Sequence, residues 1–383
     1  MQYLHAEVGL AQLSKVGEEL CGDNVDIVRT AEATIIVMSD GLGSGVKANI
    51  LATLTTKIAT GMLKRGIPLE DVINTIAETL PVCRQRKIAY STLHIIMITP
   101  DGQTTIAEFD CPATFLVRNN KTIQFPTQEK IIGNKIVRVG ELCLQENDLL
   151  VAVTDGVIHA GIGGLLKLGW GWREVAKTLD TECNEHSETE IIGQHLIDCC
   201  EGYYLGCPGD DSTALVVKMR YPQQLTLLTG PPANAEHDAD LVWRLFSEPG
   251  KKVVSGGTTA QIVSRIIGCQ LKVDLTCHDP QIPPIAYLDG VDLVTEGVLT
   301  LNAAIERLHD IKKLRDSRKQ DGATLLAKLL NTADKIKIFA GLAVNPAHHN
   351  PGFPMQMNIK AQVLNKLKSV LEDKGKEVII EWI

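Results

Sequence analysis

The stretch TIIVMSDGLGSG, residues 34–45, constrains this chain more than any other. A run of β-prone residues ends on Ser-Asp, and three glycines follow within five positions. Apolar runs this short, bounded by turn residues, read as strands rather than helices. The same texture recurs at 91–99, 104–109, 114–119, 148–154 and 213–219. TPDG (99–102) joins two of these runs and predicts consecutive antiparallel strands. Helical patterns fill the gaps. In residues 45–66, Val46, Ile50, Leu54, Ile58 and Met62 recur every four positions, and Leu51 and Ala59 widen the apolar stripe of an amphipathic helix. Residues 68–80 and 187–204 read as further amphipathic helices.

At 383 residues the chain is too long for one ordinary core. Its texture changes after residues 220–224, where short apolar strands begin to alternate with helices up to a final helix and strand. That alternation predicts an α/β layered domain over 221–383, following a first domain over 1–220. The hydrophobic share of 44% and charged share of 22% are those of a globular protein, and aromatics are scarce at 4%. A net charge of -8 with no clustered basic face argues against nucleic acid. The run at 311–321 mixes both signs and reads as solvated surface. No apolar run reaches the roughly 18 residues of a membrane span. The ten scattered cysteines and an N-terminus without the pattern of a secretory leader lead to an expectation of reduced thiols in the cytoplasm.

Four sites in the first half share one design, an aspartate where a strand meets a loop, mostly beside a glycine. They are CGDN (21–24), MSDGLGSG (38–45), VTDGV (153–157) and PGDDSTALVV (208–217). One Asp-Gly alone is a turn, since Asp caps its own backbone and Gly accepts positive φ. Four separated by whole elements point elsewhere. Carboxylates that converge repel one another unless a cation lies between them. All-oxygen donors suit hard divalent ions such as Mg²⁺ and Mn²⁺. Two such ions sharing a carboxylate and a water supply a hydroxide for in-line attack on phosphorus, so no Cys or Ser nucleophile is needed.

In this order the four motifs resemble the metal-dependent serine/threonine protein phosphatases of type 2C, and among them the bacterial stage II sporulation protein E family. The resemblance covers roughly residues 5–220. Residues 104–123 also resemble that family's central hairpin, with Asp110 standing where the family has glycine and QEND (145–148) replacing a proline-glycine-aspartate. The resemblance implies an α+β four-layer αββα sandwich and a site for two Mn²⁺ or Mg²⁺ ions. It implies that Asp40 bridges both metals, that Gly41 offers its carbonyl to one, and that Asp155 and Asp210 complete the second metal's shell. Asp23 matches the first acidic position and acts directly or through a water, while Asp211 supports its neighbour. The implied partner is a phosphorylated protein. No arginine stands beside CGDN to hold a substrate phosphate, so the metals are expected to carry that task.

Other features carry less. Cys183, His186, His195, Cys199, Cys200 and Cys207 crowd one region without a zinc spacing and read as buried thiols with packed or surface histidines. His348 and His349 fall in a Pro-rich loop. His159 follows VTDGVI and is a candidate general acid. In the second half, Gly256, Gly257, Thr258 and Thr259 lie between a strand and a helix, an anion-binding arrangement, although Thr258 as a helix N-cap is the plainer reading. A small anionic ligand there would make the second domain regulatory. Two alternatives stay open: an adaptor that keeps the phosphatase fold without efficient catalysis, and a small-molecule sensor acting through the second domain. An oligomer is compatible with either.

Overall fold

The computed structural model describes residues 3–79, 91–133, 135–183, 187–274, 282–309, 321–343 and 355–383. The runs at 311–320 and 344–354, with His348 and His349, and His186 lie outside them. The chain divides into two compact units, Met1–Tyr221 and Pro222–Ile383.

The first unit is built on two antiparallel sheets. One contains β1 (His5–Leu13), β6 (Phe115–Arg118), β7 (Lys121–Gln124), β10 (Leu149–Val153) and β11 (Ser212–Arg220) in the order β1-β11-β10-β6-β7. The other contains β2 (Asp23–Arg29), β3 (Thr34–Asp40), β4 (Leu93–Ile98), β5 (Gln103–Phe109), β8 (Gln128–Ile132) and β9 (Lys135–Cys143) in the order β2-β3-β4-β5-β9-β8. Strand periodicity explains the unbroken apolar runs. Ile36 and Met38 of β3 face Leu150, Leu215 and Val217 in a core between the sheets. Their neighbours Ile35 and Val37 point the other way, toward the helices α1 (Gly45–Leu63) and α2 (Leu69–Thr79). Likewise Val151 and Val216 pack outward on α4 (Trp172–Glu182) and α5 (Thr189–Tyr203). Three cores therefore separate four layers, helix, sheet, sheet, helix.

The face of α1 departs from the expected stripe. Val46, Ile50 and Leu54 are 57%, 52% and 50% exposed, while Ala48, Ala52, Thr55, Thr56, Ala59 and Thr60 are buried. Strict four-residue spacing overshoots a 3.6-residue turn, so the stripe drifts by about 160° between Val46 and Met62. Only its far end, Ile58 and Met62, reaches the core. The buried face is small because helix and strand nearly touch: a Cβ on Gly41 would lie 2.1 Å from the Ala48 carbonyl oxygen. It is also polar, since Asn24 donates to Thr53 and Thr56 at 3.2 Å and Thr60 donates to Asp26.

Residues 104–123 are not one hairpin. β5 and β6 belong to different sheets, and the chain crosses between them at Asp110–Pro112. Asp110 takes φ 55°, the left-handed region that glycine fills in the related pattern and that Asp tolerates better than most residues. The hairpin lies one step on, between β6 and β7, with Asn119 and Asn120 at φ 53° and 58° as a turn with two positive φ values demands.

The second unit contains a seven-stranded sheet, ordered β14-β15-β16-β13-β12-β17-β18. Its strands are β12 (Gln224–Thr229), β13 (Lys251–Ser255), β14 (Lys272–Asp274), β15 (Ile285–Leu288), β16 (Val291–Thr295), β17 (Lys335–Ala340) and β18 (Glu377–Trp382). β16, β13, β12, β17 and β18 run parallel, and β14 and β15 add antiparallel pairs at one edge. Leu227, Val253 and Ile338 face α8 (Val298–His309), α9 (Gly322–Thr332) and α10 (Met355–Asp373). Leu228, Val254 and Phe339 face α6 (Asp238–Ser247) and α7 (Gly257–Ile267). No helix among the described residues is long and apolar enough to cross a membrane.

Candidate metal centre

The four acidic sites meet at one end of the first unit's two sheets. Asp23 opens β2 and pairs in register with Asp40, the last residue of β3. Asp155 begins the short helix α3 (Asp155–Ile158) directly after β10, and Asp210 and Asp211 precede β11. β10 and β11 are paired, so Asp155 and Asp210 approach each other from neighbouring strand ends.

Each carboxylate is held differently. Asp23 is 2% exposed, and its Oδ2 accepts from Thr154 Oγ1 at 2.8 Å and Thr213 Oγ1 at 2.7 Å, while Oδ1 has no partner. Burial pushes its pKa up to about 7, against those hydroxyls and with help from Asp211 and Asp155. Asp40 is fixed through its backbone: its N–H donates to Thr92 Oγ1 at 2.9 Å and its carbonyl accepts from Thr92 N at 2.9 Å. Burial, then the charges of Asp23, Asp155 and Asp210, push its pKa up to about 9. Asp40 is thus the carboxylate that feels the other three. Burial and Asp155 also raise Asp210, whose Oδ1 accepts from the Asp211 N–H at 3.1 Å. Asp211, 4% exposed, accepts from Lys15 N through Oδ1 and leaves Oδ2 without a partner.

Glycines let these ends close on one another. Gly41 admits the Ala48 turn of α1, and a Cβ on Gly156 would fall 2.0 Å from the Asp211 carbonyl oxygen. Gly43 and Gly45 carry φ of 110° and 65°.

The geometry supports a cation site. Two buried carboxylate oxygens without partners and three carboxyls raised by burial and by neighbouring acids form an all-oxygen set suited to hard divalent ions. As they stand, no three acidic, histidine or cysteine side chains among the described residues converge tightly enough to grip an ion.

His159 Nδ1 lies 3.8 Å from Asp155 Oδ2, between two cavities. One, of about 430 Å³, is bordered by Tyr204 and Asp210. The other, of about 590 Å³, is bordered by Asp155, Cys111, Arg138 and Trp172. Trp172 stacks on Phe115 at 4.5 Å and donates to the Ala113 carbonyl at 2.8 Å. Arg138 Nε lies 2.9 Å from buried Glu108, and its Nη2 donates to the Cys111 carbonyl at 2.7 Å. Glu108 in turn accepts from Thr114, which contacts buried His94 at 2.9 Å, and burial lowers the pKa of that histidine.

Sequence reasoning missed several of these supports. Thr154 and Thr213 stand inside two of the motifs, where a hydroxyl beside an acid was the available signal. Arg138 stands on β9, far in sequence from CGDN, and had none. Cys183 and Cys200 are buried in the helix-side core, and Cys199 Sγ lies 3.8 Å from His195 Nε2. Gly256, Gly257, Thr258 and Thr259 lie apart from the acids, in the second unit, on the wall of a cavity of about 1210 Å³. There the N-cap of α7 is Gly256, so Thr258 sits inside the first turn instead of capping it.

Residues 30–220 match the family model described as stage II sporulation protein E (SpoIIE). The chain is similar to the stage II sporulation protein E of Priestia megaterium, 24% identical over 221 residues, covering 56% of this chain and 36% of that protein. It is similar to the Bacillus subtilis (strain 168) protein of the same name, 27% identical over 156 residues, covering 39% of this chain and 19% of that one. The chain therefore matches well under half the length of these relatives. Among solved structures, the phosphatase domain of SpoIIE from Bacillus subtilis is 22% identical with a TM-score of 0.45, over 58% of this chain and 95% of that one. A second structure, of its PP2C phosphatase domain with a fragment of the regulatory domain, is 23% identical with a TM-score of 0.49, over 57% and 64%. By the family match, the domain over residues 30–220 belongs to the stage II sporulation protein E family.

Proposed function

We propose that the first domain is a metal-dependent protein serine/threonine phosphatase that hydrolyses phosphoserine and phosphothreonine. The observation that carries this reading is the placement of Asp23, Asp40, Asp155 and Asp210 at neighbouring strand ends, where burial and the other three charges raise Asp40. These four, with the Gly41 carbonyl, are the groups that would hold two Mn²⁺ or Mg²⁺ ions. Such ions, when bound, acidify a water and neutralise phosphoryl oxygens. Asp40, which feels carboxylates from both sheets, would contribute to holding them. Thr154 and Thr213 fix Asp23 so that its free Oδ1 points one way only. Asp211, tied to Lys15 N, holds the turn before β11 that carries Asp210. Arg138 and Trp172 form the wall of the cavity beside Asp155, where a phosphorylated side chain would enter. His159 is the candidate proton donor to the leaving oxygen.

An adaptor without turnover is disfavoured because every acid of the set is present. The test is Mn²⁺-dependent phosphate release from a phosphoserine peptide. Asp40→Asn is expected to lower turnover at least about 1,000-fold, the scale of losing a group that stabilises transition-state charge. Unchanged release would refute the assignment. For the second domain we infer a ligand-binding role from the cavity at the carboxyl ends of its parallel strands.

A further inference from the structure

We propose that the second domain binds a small organic anion at the carboxyl edge of its parallel sheet, with the anionic head on the Lys360 ammonium and hydroxyl or amino donors facing Glu296. This rests on the ligand-binding role inferred for that domain and not on the phosphatase reading.

The place follows from topology. From β12 the chain moves to β13 and β16 on one side, then returns to β17 and β18 on the other. The loops leaving β12 and β17 therefore diverge, and crevices at such reversals are where open α/β sheets take ligands. Lys360 of α10 reaches into this one. Its Nζ donates to the Gly341 carbonyl at 2.6 Å, just after β17. A Cβ on Gly230, just after β12, would fall 2.0 Å from the same Nζ. Gly341 is bare for a related reason, since its Cβ would strike the Pro231 carbonyl at 2.0 Å. Gly230 thus leaves room for the ammonium, and Gly341 lets the two loops approach each other closely.

That ammonium is costly as it stands. Burial pulls its pKa down to about 8, and no described charged group offsets the effect. An ammonium has three donors, and Gly341 takes one. An anion is the ligand that restores what burial removed.

The opposite pole is acidic. A Cβ on Gly257 would lie 3.1 Å from Glu296 Oε1, so the chain's own carboxylate stands beside the first turn of α7. A helix start favours such a charge. An anion placed on the Gly256–Thr259 loop would meet that carboxylate, and the anionic head belongs at Lys360 instead. Val298, Leu299, Ile359 and Trp382 add apolar wall to the cavity. Its volume of about 1210 Å³ is at or above the roughly 300–1,000 Å³ usual for metabolite sites, enough for a molecule of nucleotide size.

The experiment uses the full chain in EDTA, so that phosphate binding at the acidic centre does not contribute. Ribose 5-phosphate, adenosine 5′-monophosphate and L-leucine are titrated by calorimetry, and Lys360 acetylation is followed by mass spectrometry. We expect at least one probe to bind with a dissociation constant below about 1 mM and to protect Lys360 from acetylation. Lys360→Ala should weaken that binding on the order of tenfold or more, with Lys360→Arg retaining part of it. Binding of a phosphate or of the amino acid tells which head group the site prefers. The proposal is overturned if no probe binds, or if binding survives Lys360→Ala or leaves Lys360 fully reactive.

Discussion

The two domains place charge at strand ends in opposite ways. In the antiparallel sandwich, neighbouring strand ends each deliver an aspartate, and burial together with neighbouring carboxyls pushes the pKa of Asp40 and Asp210 upward. In the parallel sheet, strand ends deliver glycines, hydroxyls and the Glu296 carboxylate, and one lysine arrives from a helix with no charged group among the described residues offsetting its burial. The first cluster calls for cations, and the buried ammonium calls for an anion. Strand ends are good places for both, because side chains there need not alternate between packed faces.

Glycine substitutions separate the two designs most sharply. At Gly41 an added methyl meets backbone, the Ala48 carbonyl, which cannot yield without moving α1. Gly41→Ala should destabilise the first domain by about 2–3 kcal/mol, a loss of roughly 5–10 °C in Tm. At Gly230 the methyl meets the tip of a flexible lysine, so Gly230→Ala should displace the ammonium and weaken anion binding, with a smaller stability loss set by its φ of 78°. Equal melting losses in the two variants would erase the contrast.

The pH dependence of the second domain is a smaller effect. The unfolded chain keeps the Lys360 proton up to about 10.5 and the folded chain only to about 8. The burial penalty is therefore complete below pH 8 and relieved between 8 and 10.5. Without ligand, this site's contribution to stability should rise across that window, while anion binding weakens as the charge is lost. Glu296 is the other titratable side chain among the described residues on the cavity wall. Urea midpoints at pH 7.5 and 9.5 check this, and Lys360→Met should flatten the rise.

The smallest effect concerns α1, which carries no charge surplus. Ile50→Ser and Leu54→Ser should each change stability by no more than about 0.5 kcal/mol, whereas Ala52→Leu on the buried face should cost about 1–3 kcal/mol. Urea denaturation of the three variants decides between this face and the apolar stripe.

What the sequence made legible follows the same division. Strands buried on both faces are unbroken apolar runs, and acids ending them stand out, so the motifs of the candidate centre could be read as an ordered set, though not singly. The face of α1 could not, because counting apolar residues overlooks the small size that close packing on Gly41 demands. Nor could the sheet change at Asp110, since local sequence specifies a turn and not which sheet the next strand joins. Lys360 was hidden for a related reason: a lysine on an amphipathic helix reads as solvent-facing until tertiary structure buries it.

The central claim is that carboxylates from two sheets form one cation site, and calorimetric titration of the full chain with Mn²⁺ tests it most directly. The account predicts saturable binding of two ions, with loss of at least one of them in Asp40→Asn and no change in Lys360→Ala. Absence of Mn²⁺ binding, or the same two-ion isotherm in Asp40→Asn, would contradict it.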